Sequence, residues 1–176
     1  MPQCTFSAGF SATGCSLPSV GTSKDDIWIF NTSQISYTES SGEISAFTMT
    51  TGSSGYKMEV KKGSGHVYQE KQEDDDGGID YKQGYEAVIA DTSTTARNFI
   101  DNFNGPDVTI VVKRNDDTFD VIGLDEGVRM VRMTESTRSG ELGYSFAFEG
   151  MGFNYVTKKV FNTDVTTTVA MLDALI

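Results

Sequence analysis

DDIWIF, residues 25–30, is a short apolar run in which Trp28 sits between two isoleucines. Its length and its β-branched content predict a buried strand. The segments that follow read as strands joined by turns. ISYTE (35–39) and EISAFTMT (43–50) flank SSG (40–42), which predicts a hairpin whose glycine supplies the positive φ of a tight loop. GYKMEV (55–60) alternates, with Tyr56, Met58 and Val60 on one face and Lys57 and Glu59 on the other. GYEAVIA (84–90) reads as its partner across an acidic interruption, QEKQEDDDGGIDYKQ (69–83). On that reading residues 61–84 form a long protruding hairpin with DDDGG as its turn.

The period then changes. In DTSTTARNFIDNFNGP (91–106), Ala96, Phe99, Ile100 and Phe103 fall at i, i+3, i+4 and i+7, one stripe of a helix. Asp91 to Ser93 offer N-caps, and Gly105-Pro106 gives a stop. DVTIVVKRNDDTFDVIG (107–123) reads as a second hairpin, with Val108, Ile110 and Val112 on one face and NDD as the turn. GVRMVRMTESTRSGELGYSFAFEG (127–150) reads as a third, in which Tyr144, Phe146 and Phe148 alternate with Ser145, Ala147 and Glu149. TDVTTTVAMLDALI (163–176) places Val165, Val169, Leu172 and Ile176 at helical spacing behind Thr163 or Asp164 as N-cap, although three threonines weaken the helix. The pattern is mainly antiparallel β with two helices.

The 176 residues suit one domain spanning 1–176. Residues 1–24, rich in Ser, Thr and Gly, have no sustained period and read as an extended N-terminal arm. Fourteen basic residues stand against 25 acidic ones, a formal net charge of −11, so the mean field repels nucleic-acid phosphate and anionic lipid. Groove or base recognition is therefore not expected, whereas a surface that DNA must pass without being gripped would gain from the repulsion. No run reaches the ~20 apolar residues of a membrane span. MPQCTFSAGF lacks the basic start and apolar stretch of a secretory signal, so cytosolic synthesis is expected, with Cys4 and Cys15 reduced.

Sites of chemistry are poorly supported. In DDDGGID, aligning Gly77 with the invariant glycine of an EF-hand puts Asp74 and Asp76 at ligand positions, but Gln72 and Gln83 then occupy the first and last positions. Neither supplies the needed charge. One histidine and two distant cysteines make no zinc set. His66 lies two residues from Ser64 without a triad, and no phosphate-binding glycine motif is present. The alternation of Tyr144, Phe146 and Phe148 fits a core strand better than a stacking platform for sugars or bases. No catalytic residue, metal or cofactor is expected.

VTIVVKRNDDTFDVIGLDEGVRMVRMTESTRSGELGYSFAFEG (108–150) resembles the tail tube, or major tail, proteins of long-tailed phages that infect Bacteroidetes hosts. So do CTFSAGFSATGCSLPSVGTSKDDIWIFN (4–31) and NTDVTTTVAMLDALI (162–176), and together the three stretches cover about half the chain. The resemblance implies a β-sandwich or split barrel with a flanking helix, six copies closing into a ring, and rings stacking as a hollow tube in the virion tail. It also implies a long hairpin that reaches a neighbouring subunit. On that basis Glu70, Glu73, Asp74, Asp75, Asp76 and Asp80 would be an inter-subunit arm, with Lys61, Lys62, Arg129 or Arg132 of another copy as partners. A solvated loop is the plainer reading of the same acids. Other assembly roles (connector, tail terminator, capsid-surface protein) and a carbohydrate-binding or adhesin module are the alternative functions.

Overall fold

The protein is seen in a computed structural model that describes residues 25–73, 78–114, 116–137 and 142–176, with backbone alone for 25 and 26. The N-terminal arm with Cys4 and Cys15 lies outside the described residues, as do Asp74, Asp75 and Asp76. In chain order the elements are β1 (Asp25–Asn31), β2 (Ile35–Ser40), β3 (Glu43–Met49), β4 (Tyr56–Val60), β5 (His66–Glu73) and β6 (Ile79–Ile89). Helix α1 (Thr94–Asp101) follows, then β7 (Val108–Lys113), β8 (Phe119–Ile122), β9 (Arg129–Ser136), β10 (Gly143–Phe153), β11 (Lys158–Lys159) and α2 (Val165–Asp173).

The strands form a central sheet in the order β11-β8-β7-β1-β4, a second sheet in the order β5-β6-β10-β9, and the separate hairpin β2-β3. All pairings between these strands are antiparallel. The result is mainly β and sandwich-like, and no sheet closes into a barrel.

The near-continuous apolar runs of β1 and β7, interrupted in β7 by Thr109, whose buried hydroxyl donates to the Gly123 carbonyl, have one cause: the central sheet is buried on both faces. Ile27, Ile29, Val108, Ile110 and Val112 point into a core shared with the second sheet and α1, where they meet Tyr85, Phe146, Phe148 and Phe99. Trp28, Phe30 and Val111 point the other way, into a core closed by β3 and α2 through Phe47 and Leu172. Alternation sends successive side chains to opposite faces, so two-sided burial favours apolar residues at successive positions.

Helix α1 follows its sequence signals. The Ser93 hydroxyl accepts a hydrogen bond from the Ala96 N–H at 3.2 Å, capping the first turn, and Ala96, Phe99 and Ile100 are buried. Phe103, just beyond the helix, packs edge-to-face on Phe99 and on Phe148. Asp164 caps α2 by accepting from the Thr167 N–H at 2.7 Å. The Trp28 indole N–H donates to Asp173 at 2.8 Å, and Lys57 meets the same carboxylate, so the end of α2 is tied to β1 and β4. Ile176 departs from the expected stripe and is 48% exposed, because α2 ends at Asp173.

The β2-β3 hairpin turns through Ser41 and Gly42, both at positive φ. The expected hairpins β7-β8 and β9-β10 also form. One pairing differs from expectation. GYKMEV is β4 and pairs with β1, Met58 opposite Ile27, and not with GYEAVIA. The latter is the end of β6, whose hairpin partner is β5, HVYQEKQE, from His66 opposite Glu86 to Glu73 opposite Ile79. β4 and β6 have similar alternation, which identifies strands but not partners, and the polar outer residues of β5 disguise a strand as loop. The long hairpin itself is present.

Truncating Phe146, in the inter-sheet core, should cost about 3–5 kcal/mol. Ile79→Ala, at a position 51% exposed, should leave stability within about 0.5 kcal/mol. Urea unfolding followed by tryptophan fluorescence measures both, and equal losses would contradict this assignment of the core.

Candidate functional site

The second sheet has one face against the core and one against solvent. Directly opposed residues share a face, so the register sorts the side chains. Phe146 lies opposite Ala87, and Phe148 opposite Tyr85, on the core side. On the solvent side lie His66, Tyr68 and Glu70 of β5, Asp80, Lys82 and Glu86 of β6, Glu149 of β10, and Arg129, Arg132 and Thr134 of β9, with Ala147 of β10 buried between Glu86 and Arg132.

Two linked groups of charges hold this face. The Tyr68 hydroxyl donates to Glu149 at 2.6 Å, and the Lys82 ammonium reaches the other oxygen of that carboxylate at 2.9 Å. Lys82 also lies 5.8 Å from the centre of the Tyr68 ring. The ring occupies the space above Gly84, where a Cβ would collide with its far end. Burial, and then the neighbouring Glu149, push the Tyr68 phenol above its ordinary pKa. Glu149 is held below the ordinary glutamate range, first by the hydrogen bond from Tyr68 and then by Lys82. Arg132 bonds Glu86 at 2.8 Å, reaching across Ala147 of the intervening strand β10.

The anticipated arm and its basic partners are not together within one chain. Glu70 and Glu73 lie on β5, Asp80 opposite Gln72 on β6, and none makes an ion pair with a described side chain. Lys61 and Lys62 are exposed in the turn before β5, the other end of the hairpin from Glu73. Seven residues of strand separate His66 from Glu73, about 23 Å. Arg129 and Arg132 lie on β9, at the opposite edge of the sheet, and are engaged inside the subunit. Arg129 grips Asp107 with two bonds, the longer 2.8 Å, and Arg132 holds Glu86.

Sequence reasoning missed Tyr68, Lys82, Glu86 and Glu149. Their signal was the polar half of the alternation in HVYQE, DYKQGYEAV and SFAFEG, which is legible only once these strands are known to be neighbours.

Of the chemical candidates, Ser64 is committed elsewhere: its hydroxyl donates to the Lys61 carbonyl at 2.6 Å and accepts from the Val88 N–H at 3.1 Å. His66 instead packs on Tyr68, with ring centres 5.6 Å apart. A cleft of about 440 Å³ opens beside His66, Tyr85, Lys113 and Arg114. Lys113 pairs with Asp117 at 2.9 Å and Arg114 with Asp120. Tyr144, Phe146 and Phe148 are all buried, so they are core and not a stacking platform. Paired strands, not helices, flank the acidic turn, contrary to an EF-hand. Among the described residues no group of three or more His, Cys, Asp or Glu could hold a metal ion. No described helix is long and apolar enough to cross a membrane.

Comparison with protein-family models, with curated proteins and with solved structures finds no match.

The depressed pKa of Glu149 makes its contacts fully stabilising above the ordinary glutamate range, and that stability is lost as pH falls through the folded value. Tyr68→Phe should raise the pKa of Glu149 towards the ordinary range. Gly84→Ala, which displaces the same ring, should do likewise. Carboxyl-carbon NMR titration reads this directly, and an unmoved Glu149 in both variants would show that the Tyr68 bond does not set it.

Proposed function

We propose that this chain is a structural subunit that assembles with its own copies into rings stacked as a hollow tube of the phage tail type. One observation carries the reading. The second sheet ends on both sides in an eight-residue strand, β5 and β9, beside which no further strand lies among the described residues. A long open edge is a row of unsatisfied N–H and C=O groups that templates another strand. Here one subunit offers two, and they differ. Joining unlike surfaces is head-to-tail, so it closes into a ring or continues as a filament. Six copies per ring is the number the family resemblance implies.

In a ring joined edge to edge, the bulkier side of each subunit belongs outside, where the circumference is larger. That side carries the central sheet and α1. The solvent-exposed face of the second sheet then lines the lumen. Its cations are neutralised within the subunit: Lys82 by Glu149, Arg132 by Glu86 and Arg129 by Asp107. Glu70 and Asp80 remain as acids without an ion-pair partner among the described residues. A surface with paired cations and surplus acid does not grip phosphate, so DNA passes; repulsion acts over about 8 Å at 0.15 M salt. The role requires no cofactor and no catalytic group.

Rings also stack. The hairpin end carries Glu73 and the exposed Ile79, and Met151 on the neighbouring strand is 64% exposed. These suit a contact with the next ring, the role proposed for the acidic arm. Other tail proteins would meet the end rings.

Negative-stain electron microscopy of the purified protein over a range of concentrations should show rings or hollow tubes. Persistent monomers, together with absence of the protein from virion tails, would overturn the reading. Deleting residues 71–80 should leave a folded monomer that makes no tubes, and tubes of normal length from that variant would remove the hairpin end from the assembly.

A further inference from the structure

The assembly reading leaves open which strand meets which, and in what register. The geometry points to one answer, which rests on that reading: we propose that β9 of one copy pairs antiparallel with β5 of the next, with Arg132 opposite Glu70.

Polarity comes first. Each strand of the second sheet is antiparallel to its neighbour, and there are four, so the two edge strands run in opposite directions. Rotation about a ring axis preserves strand direction along that axis. The β5 of a rotated copy therefore meets β9 antiparallel, and the ladder continues from subunit to subunit without a break in pattern.

Register comes from length and face. Both edges are eight residues long, Arg129–Ser136 and His66–Glu73. Aligning Ser136 with His66 gives the greatest overlap, every β5 residue but Glu73 having a partner, and puts Thr134 opposite Tyr68 and Arg132 opposite Glu70. These pairs agree in face. Within the subunit, Arg132 and Thr134 stand opposite Ala147 and Ser145, and Glu70 and Tyr68 opposite Lys82 and Gly84, all on the exposed side. Met133, opposite Phe146, and Gln69, opposite Gln83, fall together on the other face, where both are exposed beyond the edge of the core. A slip of one residue would set Arg132 and Thr134 against residues of the other face.

Charge selects the same arrangement. On the exposed face β9 carries Arg129 and Arg132 while β5 carries Glu70; Glu135 of β9 and Lys71 and Glu73 of β5 fall on the other face. The strand is irregular between Met130 and Arg132, where Val131 is the extra residue. Beyond that bulge Arg129 returns to the exposed face opposite Gln72, so Glu70 faces Arg132 directly and has Arg129 as its diagonal neighbour. Arg132 keeps donors to spare beyond its bond to Glu86, because a guanidinium has five N–H groups. Pairing β9 with another β9 would instead bring two arginine-bearing edges together.

Charge reversal tests the register. Arg132→Glu and Glu70→Arg, made singly, should each raise the concentration needed for ring formation by about tenfold or more, and the double exchange should restore most of it. Sedimentation velocity reads the assembly, and thermal melting of each variant separates it from folding. A second measurement does not depend on charge. With Cys4→Ser and Cys15→Ser as background, the pair Ser136→Cys and His66→Cys should give disulfide-linked multimers on oxidation, while either cysteine alone should give at most dimers. Assembly unaffected by the single reversals, with no multimers from the cysteine pair, would overturn the register and leave the assembly reading standing. A wild-type protein that forms no ring at any concentration would overturn both.

Discussion

Burial of the central sheet on both faces is the constraint from which the rest of the structure follows. β1 cannot present Ile27 and Ile29 to one side and Trp28 and Phe30 to the other unless each side is covered. Fully burying side chains of this size is worth about 1.5–3 kcal/mol each, which far exceeds what capping or surface ion pairs contribute. The chain meets the demand with two different covers: a second sheet with α1 on one side, and a hairpin with α2 on the other. Because the second sheet serves as a cover, one of its faces is committed to the core, leaving the other face and both edges for contacts outside the subunit.

Gln83 fixes how that cover sits. It is fully buried on β6, and its carboxamide is used at both ends, the oxygen accepting from the Gly123 N–H at 3.2 Å and the nitrogen donating to the Tyr155 carbonyl at 3.1 Å. An apolar residue there would leave a buried N–H and a carbonyl unpaired, at about 1–3 kcal/mol for each. One side chain thus ties the second sheet to the end of β8 and to the segment after β10. Hydrophobic contact alone would let the two layers slide; this amide gives them a fixed register, and a fixed register sets where the two open edges lie in space.

Much of this was legible in the sequence. The apolar runs, the i, i+3, i+4, i+7 stripe of α1, the Ser-Ser-Gly turn and the Asp164 cap each signal a local structure, and local structure is what periodicity and capping report. Partner choice was not legible. GYKMEV and GYEAVIA carry the same alternation, and their separation is resolved only by which face of which sheet needs covering. The polar face was hidden for a related reason: Tyr68 is 81 residues from Glu149 in sequence, and these two meet Lys82 only because β6 lies between β5 and β10. The arginines of β9 were legible as basic residues, but their bonds to Asp107 and Glu86 were not.

The two sheets treat their edges differently, and that difference bears on function. The central sheet ends in β11, two residues long, and β4, five residues long. Short edges of this kind give a stranger little to pair with, which is how monomeric β proteins commonly protect themselves. The second sheet has no such protection among the described residues. Its edge strands are eight residues each, and β9 adds the exposed apolar side chains Val131 and Met133. Charge on the edges does not serve as a general repellent either, since on the exposed face the arginines of β9 and Glu70 of β5 are of opposite sign. An edge guarded against all pairing would carry like charges, or a proline, on both sides. Complementary edges reject their own kind and accept each other, which is the property a subunit needs if it is to join head to tail and never back to back.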